Sequence, residues 1–292
     1  MKQWVILSGK GGTGKTTVAG VLAHLASQEH RLVLADADVD AANLELLLAP
    51  KLAEAHDFVG GQVAVVDPAC CTNCGICAAL CRFEAVLAGN GAHRVDALAC
   101  EGCAACAHAC PAGAIAMQDR VSGRHFRSET RYGPLFHARL TPGQENSGKL
   151  VTQVKQGARL EALAQQADLL LVDGPPGIGC PAIASIAGAD LALLVTEPGV
   201  SGIHDWGRIL GTIRLFGVPA VVCVNKADIN PARTEEIRAL CAQEQLPLVG
   251  VLPFDMHVVE ATAHRRPLTE YSSGPASAAL RQLWRRLEPW LS

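Results

Sequence analysis

Short apolar runs alternate with stretches of helical periodicity at the start of the chain and again beyond residue 165. Residues 3–7 and 31–35 are predicted to be buried strands, with a glycine-rich turn and a helix over residues 16–27 between them. Three later apolar runs, each bounded by Gly, Pro or Asp, are also predicted strands: Leu169–Val172, Leu191–Val195 and Ala220–Val224. Apolar strands that alternate with helices favour an α/β fold with a doubly wound, mostly parallel sheet covered on both faces.

The segment of residues 62–117 departs from this pattern. It holds nine of the twelve cysteines and repeats internally, because Val63–Asp67 leads into one cysteine run and Arg94–Asp96 leads into a second. We therefore predict a small inserted α+β domain over residues 62–117, and a discontinuous host domain formed by residues 1–61 and 118–292. Residues 118–150 are polar and rich in glycine, which predicts irregular strands and loops.

The overall composition narrows the class of protein. A hydrophobic share of 49% excludes a disordered chain, and a net charge of −3 gives no electrostatic reason to expect nucleic-acid binding. No apolar run reaches the ~18 residues that a transmembrane helix needs. The only apolar run near the start, Trp4–Leu7, is too short for the core of a signal peptide. We therefore expect a cytoplasmic protein, in which clustered cysteines indicate metal binding rather than disulfides.

A phosphate-binding loop is predicted between the first strand and the first helix, where Gly9–Thr16 fits the pattern G-x-x-x-x-G-K-[ST]. The backbone N–H groups of such a loop surround the phosphates, Lys15 reaches the β- and γ-phosphates, and the Thr16 hydroxyl coordinates Mg²⁺. A glycine-rich turn without a ligand is the alternative. The candidate nucleotide-binding residues in the loop are Gly9, Lys10, Gly11, Gly12, Thr13, Gly14, Lys15, Thr16 and Thr17.

Polar residues that follow three other predicted strands are candidates for binding Mg²⁺, the attacking water and the base of the nucleotide. Asp173 ends an apolar strand and, with Asp36, is a candidate for holding Mg²⁺ together with Thr16. Asp38 follows the second strand and is a candidate for orienting the attacking water, since phosphoryl transfer depends mainly on positioning and charge neutralisation. Capping of a helix is the alternative for Asp36, Asp38 and Asp40. The amide of Asn225 either binds a purine edge or forms a turn.

Two cysteine runs have the spacing C-x₂-C-x₂-C-x₃-C of bacterial two-cluster ferredoxins, in which the fourth cysteine of each run ligates the other cluster. This spacing predicts two 4Fe–4S clusters. Zinc is the rival interpretation, but it would leave one cysteine of each C-x₂-C-x₂-C triplet without a role. The predicted ligands are Cys71, Cys74, Cys77 and Cys110 for the first cluster, and Cys81, Cys100, Cys103 and Cys106 for the second.

A second lysine within the loop, Lys10, makes it resemble the deviant Walker A motif of the MinD/ParA family, which includes the nitrogenase iron protein and Mrp-type cluster carriers. Asp36–Asp38 and Asp173–Gly177 resemble the two switch segments of that family. Asn225–Lys226 and Pro253–Asp255 resemble its adenine-binding segments. With the cysteine runs, the chain resembles MinD-superfamily P-loop ATPases that contain an inserted ferredoxin domain.

The resemblance implies a P-loop NTPase fold, Mg-dependent ATP hydrolysis, and a homodimer or a heterodimer with a related ATPase. By the same resemblance, Lys10 contacts nucleotide across the dimer interface, and the catalytic residues are Lys10, Lys15 and Asp38. Cys180 lies near the position of a cluster-ligating cysteine of the nitrogenase iron protein, so it is either an extra ligand or a buried small residue. Cys70 is either a packing residue or an alternative ligand, and His108 is either a solvated residue or a donor to cluster sulfur.

The end of the chain has apolar residues at helical spacing beside three arginines. Such a helix either lies on a membrane surface, as the tail of MinD does, or packs against the sheet as the last helix. The apolar residues are Leu280, Leu283, Trp284, Leu287, Trp290 and Leu291.

The predicted function is the coupling of ATP binding and hydrolysis in a dimer to electron transfer through two 4Fe–4S clusters, with a redox partner protein. Two alternatives stay open at this point. One is delivery of an iron–sulfur or other metal cluster to an acceptor protein. The other is a MinD- or ParA-like positioning ATPase in which the clusters are only structural.

Overall fold

A computed structural model describes residues 1–144 and 146–291, without the side chains of residues 200–204. It contains eleven strands and eleven α-helices in the described residues. The strands are β1 Lys2–Ser8, β2 Leu32–Asp36, β3 Lys51–Val66, β4 Val86–Leu87, β5 Arg94–Val95, β6 Ile115–Thr130, β7 Gly133–Leu140, β8 Leu169–Pro176, β9 Leu191–Thr196, β10 Ala220–Val224 and β11 Leu248–Val251. The helices are α1 Lys15–Ala26, α2 Leu44–Leu48, α3 Ile76–Leu80, α4 Ala105–Ala109, α5 Ser147–Ala164, α6 Cys180–Ile186, α7 Val200–Leu215, α8 Pro231–Gln243, α9 His257–Ala263, α10 Leu268–Tyr271 and α11 Pro275–Leu287.

Nine strands form one sheet in the order β11-β10-β9-β1-β8-β2-β7-β6-β3. The pairs from β11 to β7 are all parallel; for example, Val5 lies opposite Val172 of β8 and Ala192 of β9. Strands β2 and β9 are buried along their whole length, as a sheet covered on both faces requires. The predicted α/β fold with a mostly parallel sheet is confirmed.

Parallel strands bring their carboxyl ends to one edge of the sheet, and ligands of open α/β sheets bind there. β1 leads into the glycine-rich loop, β2 ends at Asp36, and β8 carries Asp173 directly opposite Asp36 in register. β9 ends one residue before Glu197, and β10 ends one residue before Asn225. The topology therefore collects these polar residues in one region.

The prediction of irregular strands and loops over residues 118–150 is wrong. This segment contains most of β6, all of β7 and the start of α5. Few side chains of β6 are buried, and the 16-residue β3 is also largely exposed. Exposure on both faces removes the apolar alternation by which a strand is recognised in a sequence.

The described chain divides into two compact units. Unit 1 consists of Met1–Ala55, His125–Arg139 and Ser147–Ser292, and unit 2 consists of His56–Arg124 and Leu140–Asn146. Unit 2 contains the whole of residues 62–117. It is also longer than that segment, since it includes additional residues of β3, β6 and β7.

The last helix, α11, packs into the main apolar core of unit 1. Leu280, Leu283 and Leu287 are buried in it, and the Trp284 ring lies 6.1 Å from the ring of Trp4. This arrangement is the second of the two alternatives for the end of the chain. Among the described residues, no helix has both the length and the apolar character that spanning a membrane requires.

Candidate functional site

The loop between β1 and α1 has the backbone shape of a phosphate-binding loop. Gly12 and Gly14 have φ angles of 77° and 92°, in the left-handed region that favours glycine. A Cβ atom on Gly14 would come within 2.3 Å of the amide nitrogen of Asn225. That amide donates a hydrogen bond to the carbonyl oxygen of Thr13 at 2.8 Å. The glycine at position 14 is therefore required both by conformation and by space.

A cavity of about 560 Å³ opens over this loop and the start of α1. Lys15, which is buried, and Thr16 line it from the loop side, and Asp38 lines it from the segment after β2. Pro175 and Pro176 close it from the end of β8. The cavity thus brings together the loop and both segments that resemble switches.

Asp173 is the candidate magnesium-binding carboxylate. It is fully buried, and neither of its carboxylate oxygens has a hydrogen-bond partner among the described residues. Burial raises the pKa of Asp173 to about 7, and this rise is only partly opposed by the nearby Thr16 hydroxyl and Lys15 ammonium. A buried acceptor pair without donors, beside a hydroxyl, fits the oxygen ligands that Mg²⁺ prefers.

Asp36, the other predicted magnesium-site carboxylate, is bonded to the backbone of the segment that follows it. Its carboxylate accepts hydrogen bonds from the backbone N–H groups of Asp38 at 3.1 Å and Leu44 at 3.0 Å. It is fully buried, and burial together with repulsion from Asp173 raises its pKa. Its oxygens thereby order the segment between β2 and α2, and Asp36 is not among the residues that line the cavity.

Asp38, the carboxylate predicted to orient the attacking water, lies in the wall of the cavity. It lines the cavity and is half-buried, and burial raises its pKa while the Lys15 charge opposes the rise. Asp40 also lines this cavity but is exposed.

A second cavity of about 290 Å³ shares Gly12, Gly14 and Thr17 with the first, so the two are adjacent. Its walls are largely apolar and include Phe254, and Asn225 faces it. An apolar cavity beside a phosphate loop fits a planar base, so the predicted adenine-binding segments do lie together. Both polar ends of Asn225 are engaged, because its amide oxygen accepts the backbone N–H of Lys226 at 3.0 Å.

One acidic residue that the sequence analysis missed lies at the loop. Glu197, at the end of β9, has one carboxylate oxygen 2.5 Å from Nζ of Lys10 and the other 3.0 Å from Nζ of Lys226. Lys226 also donates to the carbonyl oxygen of Gly12 at 3.0 Å. Glu197 follows an apolar strand in the same way as Asp173 does, and this was the available sequence signal.

Another residue that the sequence analysis missed is Lys155 of α5. Its buried ammonium donates to the carbonyl oxygens of Ala184, Ser185 and Ala187 at 2.7, 2.8 and 2.7 Å. These carbonyls lie at the end of α6, where a helix leaves its last acceptors without partners. Lys155 therefore caps the helix that follows the second switch-like segment. Cys180, the first residue of that helix, is exposed.

In unit 2, the eight cysteines of the two runs surround two separate cavities. Three cysteines of one run and the fourth of the other line each cavity. The first cavity is lined by Cys71, Cys74, Cys77 and Cys110, and the second by Cys81, Cys100, Cys103 and Cys106. The sulfur of Cys71 accepts the N–H of Asn73 at 3.4 Å, and that of Cys110 accepts the N–H of Ala114 at 3.3 Å.

The two halves of unit 2 repeat each other at a spacing of 29 residues, as in Cys71 and Cys100. The N–H of Asp67 donates to the carbonyl of Ala114, and the equivalent N–H of Asp96 donates to the equivalent carbonyl of Ala85, both at 2.8 Å. Each half therefore pairs with the other, and this exchange brings the fourth cysteine of each run to the opposite cavity.

Among the remaining polar residues near these cavities, His108 fits the solvated alternative given for it. His108 is exposed on α4, whereas His93 lines the first cavity, and its buried Nδ1 has no hydrogen-bond partner within the described chain. Because His93 lies between the two halves, outside both cysteine runs, the motif gave no signal for it. Cys70 is exposed.

Comparison with known proteins places the chain in a family. Residues 4–268 match the family model of the CobQ/CobB/MinD/ParA nucleotide binding domain. An uncharacterized protein of Methanocaldococcus jannaschii is 30% identical over 98% of this chain and 96% of its own length. An uncharacterized ATP-binding protein of the same organism is 26% identical over 97% of this chain and 86% of its own length.

Solved structures show the same fold. The septum site-determining protein MinD of Pyrococcus horikoshii, solved with Mg-ADP, superposes with a TM-score of 0.62 at 18% identity, over 98% of this chain and 96% of its own. Together with the phosphate-binding loop, the two cavities and the buried Asp173, these matches establish that the chain belongs to the CobQ/CobB/MinD/ParA family and is a P-loop ATPase of the MinD/ParA type.

Proposed function

We propose that this ATPase couples its nucleotide state to electron transfer through two 4Fe–4S clusters held by unit 2. The observation that carries the proposal is the division of eight cysteines between two cavities, with the fourth cysteine of each run contributed to the other cavity. This division is the ligand exchange of two-cluster bacterial ferredoxins. When bound, such clusters accept and donate single electrons.

The chemistry of the cavities suits clusters. Sulfur is the ligand of iron–sulfur clusters, and backbone N–H groups that donate to cysteine sulfur stabilise its negative charge. Such N–H donors are present at Cys71 and Cys110. Cys74 and Cys103 are exposed, so each cluster would come near the surface, where a redox partner protein can exchange electrons with it.

On the nucleotide side, we assign Mg²⁺ to the Thr16 hydroxyl and the Asp173 carboxylate. Lys15 would neutralise the β- and γ-phosphates, and Asp38 would orient the attacking water. Asp36 would contribute to the magnesium site from beside Asp173, with its carboxylate held in orientation by its two backbone hydrogen bonds. Following the resemblance, we propose that ATP closes a dimer in which Lys10 contacts the nucleotide of the partner chain.

Delivery of a metal cluster is a second candidate function. Cluster donation needs labile ligands, and the exposed thiols of Cys70 and Cys180 are the observation that favours it. A positioning role is the third candidate, supported by the similarity to septum site-determining MinD proteins such as that of Bacillus subtilis.

The metal content tests the proposal. Protein purified without oxygen is expected to hold about 8 Fe and 8 sulfide per chain, and dithionite is expected to produce the EPR signal of reduced 4Fe–4S clusters. About two zinc ions and no iron would contradict both redox coupling and iron–sulfur delivery. Capture of partners from an anaerobic lysate, with hydrolysis blocked by Asp38→Ala, then separates the three functions by the class of protein retained.

A further inference from the structure

An ion pair with Glu197 occupies the ammonium group of Lys10 within its own chain. In the proposed dimer, Lys10 of one chain contacts the nucleotide that is bound by the partner chain. In the structure, its ammonium lies 2.5 Å from the carboxylate of Glu197 of the same chain. The Lys10 and Glu197 side chains are 29% and 21% exposed, so water screens the pair only partly.

Glu197 is held by two cations at once. The same carboxylate lies 3.0 Å from Lys226, which in turn donates to the carbonyl of Gly12 within the loop. Burial raises the pKa of Glu197, but the hydrogen bonds from Lys10 and Lys226 outweigh burial, so that the net pKa is lowered. The Glu197 carboxylate is therefore ionised at neutral pH, and a second lysine attaches it to the loop.

A carboxylate in this place competes with phosphate for the Lys10 ammonium. Both are anions, and a Lys10 ammonium that moves to a phosphate on another chain gives up its 2.5 Å contact with Glu197. The free energy of the pair must be overcome in each of two chains when a dimer forms. An interaction that exists only in the separate chains raises the protein concentration at which the dimer assembles.

We propose that Glu197 is an autoinhibitory positioning residue, which holds Lys10 within its own chain and releases it when two ATP-loaded chains associate. The inference rests on the proposed dimer and adds its regulation. Glu197 does not touch the reacting atoms. Its effect on turnover acts through the availability of Lys10.

The test uses Glu197→Gln, which keeps the size of the side chain and removes its charge. Acetylation of Lys10 in the nucleotide-free protein, measured by mass spectrometry against exposed Lys51, is expected to be several times faster in the variant. With a non-hydrolysable ATP analogue, the concentration for half-maximal dimer is expected to fall about threefold to tenfold, since a partly exposed pair is lost in each chain. Because more of the variant is dimeric at low protein concentration, its ATP turnover per chain is expected to be higher there than that of the wild type.

Controls separate this effect from general loss of charge or structure. Glu236→Gln removes an equal charge from an exposed ion pair with Arg233 on α8, and both readouts are expected to stay at the wild-type value. Adding Lys10→Ala to Glu197→Gln is expected to abolish the gain in assembly. Glu197→Asp, which keeps the charge on a shorter side chain, provides a second variant if the glutamine variant does not fold.

Unchanged acetylation of Lys10 in the folded Glu197 variants would overturn the inference and leave the proposed dimer intact. Faster acetylation with an unchanged or higher assembly concentration would also overturn it. If neither wild type nor variant assembles although both bind the analogue, the proposed dimer is wrong, and the inference is overturned with it.

Discussion

The nucleotide-binding unit and the cysteine-rich unit are built on different kinds of interior. The core of unit 1 is a large set of buried aliphatic and aromatic side chains, and charged residues of its nucleotide site, such as Asp36 and Asp173, lie at or near the ends of the strands. The core of unit 2 is small, and two of its buried residues are the cysteines Cys77 and Cys100. In unit 1 the residues of the nucleotide site lie outside an apolar core that is formed without them. In unit 2 some of the cysteines of the cysteine cavities are themselves core residues.

This difference determines what each unit needs from its ligand. A large apolar core supplies enough free energy to hold Lys15 and Asp173 in place without nucleotide. A small domain with few apolar side chains usually depends on metal or disulfides, and metal binding then contributes directly to its folding free energy. We therefore expect ligand loss to affect activity in unit 1 and folding in unit 2.

The largest expected effect is the loss of nucleotide binding in Lys15→Ala. Charge-assisted hydrogen bonds contribute about 1.5–3 kcal/mol, so that Mg-ATP affinity is expected to fall about a hundredfold while the melting temperature of unit 1 changes little. Titration calorimetry with Mg-ATP measures it, and Lys51→Ala, at an exposed position, is the control. A collapse of folding in Lys15→Ala would contradict the picture of a site added to a complete core.

The second prediction concerns Cys100→Ser in unit 2. The variant is expected to lose about four of eight iron atoms and to unfold unit 2 at a lower temperature than unit 1, because in the proposal Cys100 is both a cluster ligand and a core residue. Iron analysis and calorimetric melting measure these effects. Cys241→Ser, at a buried cysteine of unit 1, is the matched control and should keep all its iron. Full iron content in Cys100→Ser would refute the ligand assignment.

A smaller effect is expected at His93, which lines the first cysteine cavity. A donor to cluster sulfur stabilises the more negative reduced state and raises the reduction potential. His93→Phe is therefore expected to lower the potential of the first cluster and leave the second unchanged, as followed by EPR during a redox titration. His108→Phe, at an exposed histidine, serves as the control. Equal shifts of both clusters would show that His93 does not act locally.

The smallest expected effect is a pH dependence of stability in unit 1. Burial lowers the pKa of His137, and the neighbouring Glu45 carboxylate, which raises it, offsets this only in part. Between the folded pKa and the ordinary value of 6.5 the unfolded chain binds more protons, so stability rises with pH through that window and falls on acidification. His137→Gln is expected to flatten this dependence in urea unfolding at several pH values. His264→Gln, at an exposed histidine, should leave the slope unchanged, and an unaltered slope in His137→Gln would contradict the assignment.

The parts of the candidate sites that could be predicted from the sequence are those whose residues lie close together in the chain. The phosphate-binding loop and the cysteine runs are predicted because their residues lie close together in the chain, where the chemistry fixes their separations. Asp36 and Asp38 look equivalent in the sequence, and only burial and backbone hydrogen bonds distinguish them. Fold elements were limited in a similar way, since β3 is largely exposed and few side chains of β6 are buried, so that neither strand shows apolar alternation.

Contacts between residues far apart in the chain could not be predicted from the sequence. Glu197 meets Lys10 across 187 positions because β9 and β1 are neighbours in the sheet. Lys155 reaches the end of α6 about 30 positions later in the chain because the two helices pack side by side. Such pairs depend on strand order and helix packing, which the periodicity of a single sequence does not specify.

Coupling between nucleotide and clusters is tested most directly by the cluster potentials measured with and without a non-hydrolysable ATP analogue. Nucleotide can shift a potential only by binding the oxidised and reduced protein with different affinity, and each tenfold difference corresponds to ~59 mV for one electron. We predict a shift equivalent to an affinity ratio of about 5–150, with nucleotide affinity changing by the same factor upon reduction. Identical potentials and identical affinities in an iron-loaded, ATP-binding protein would contradict the account.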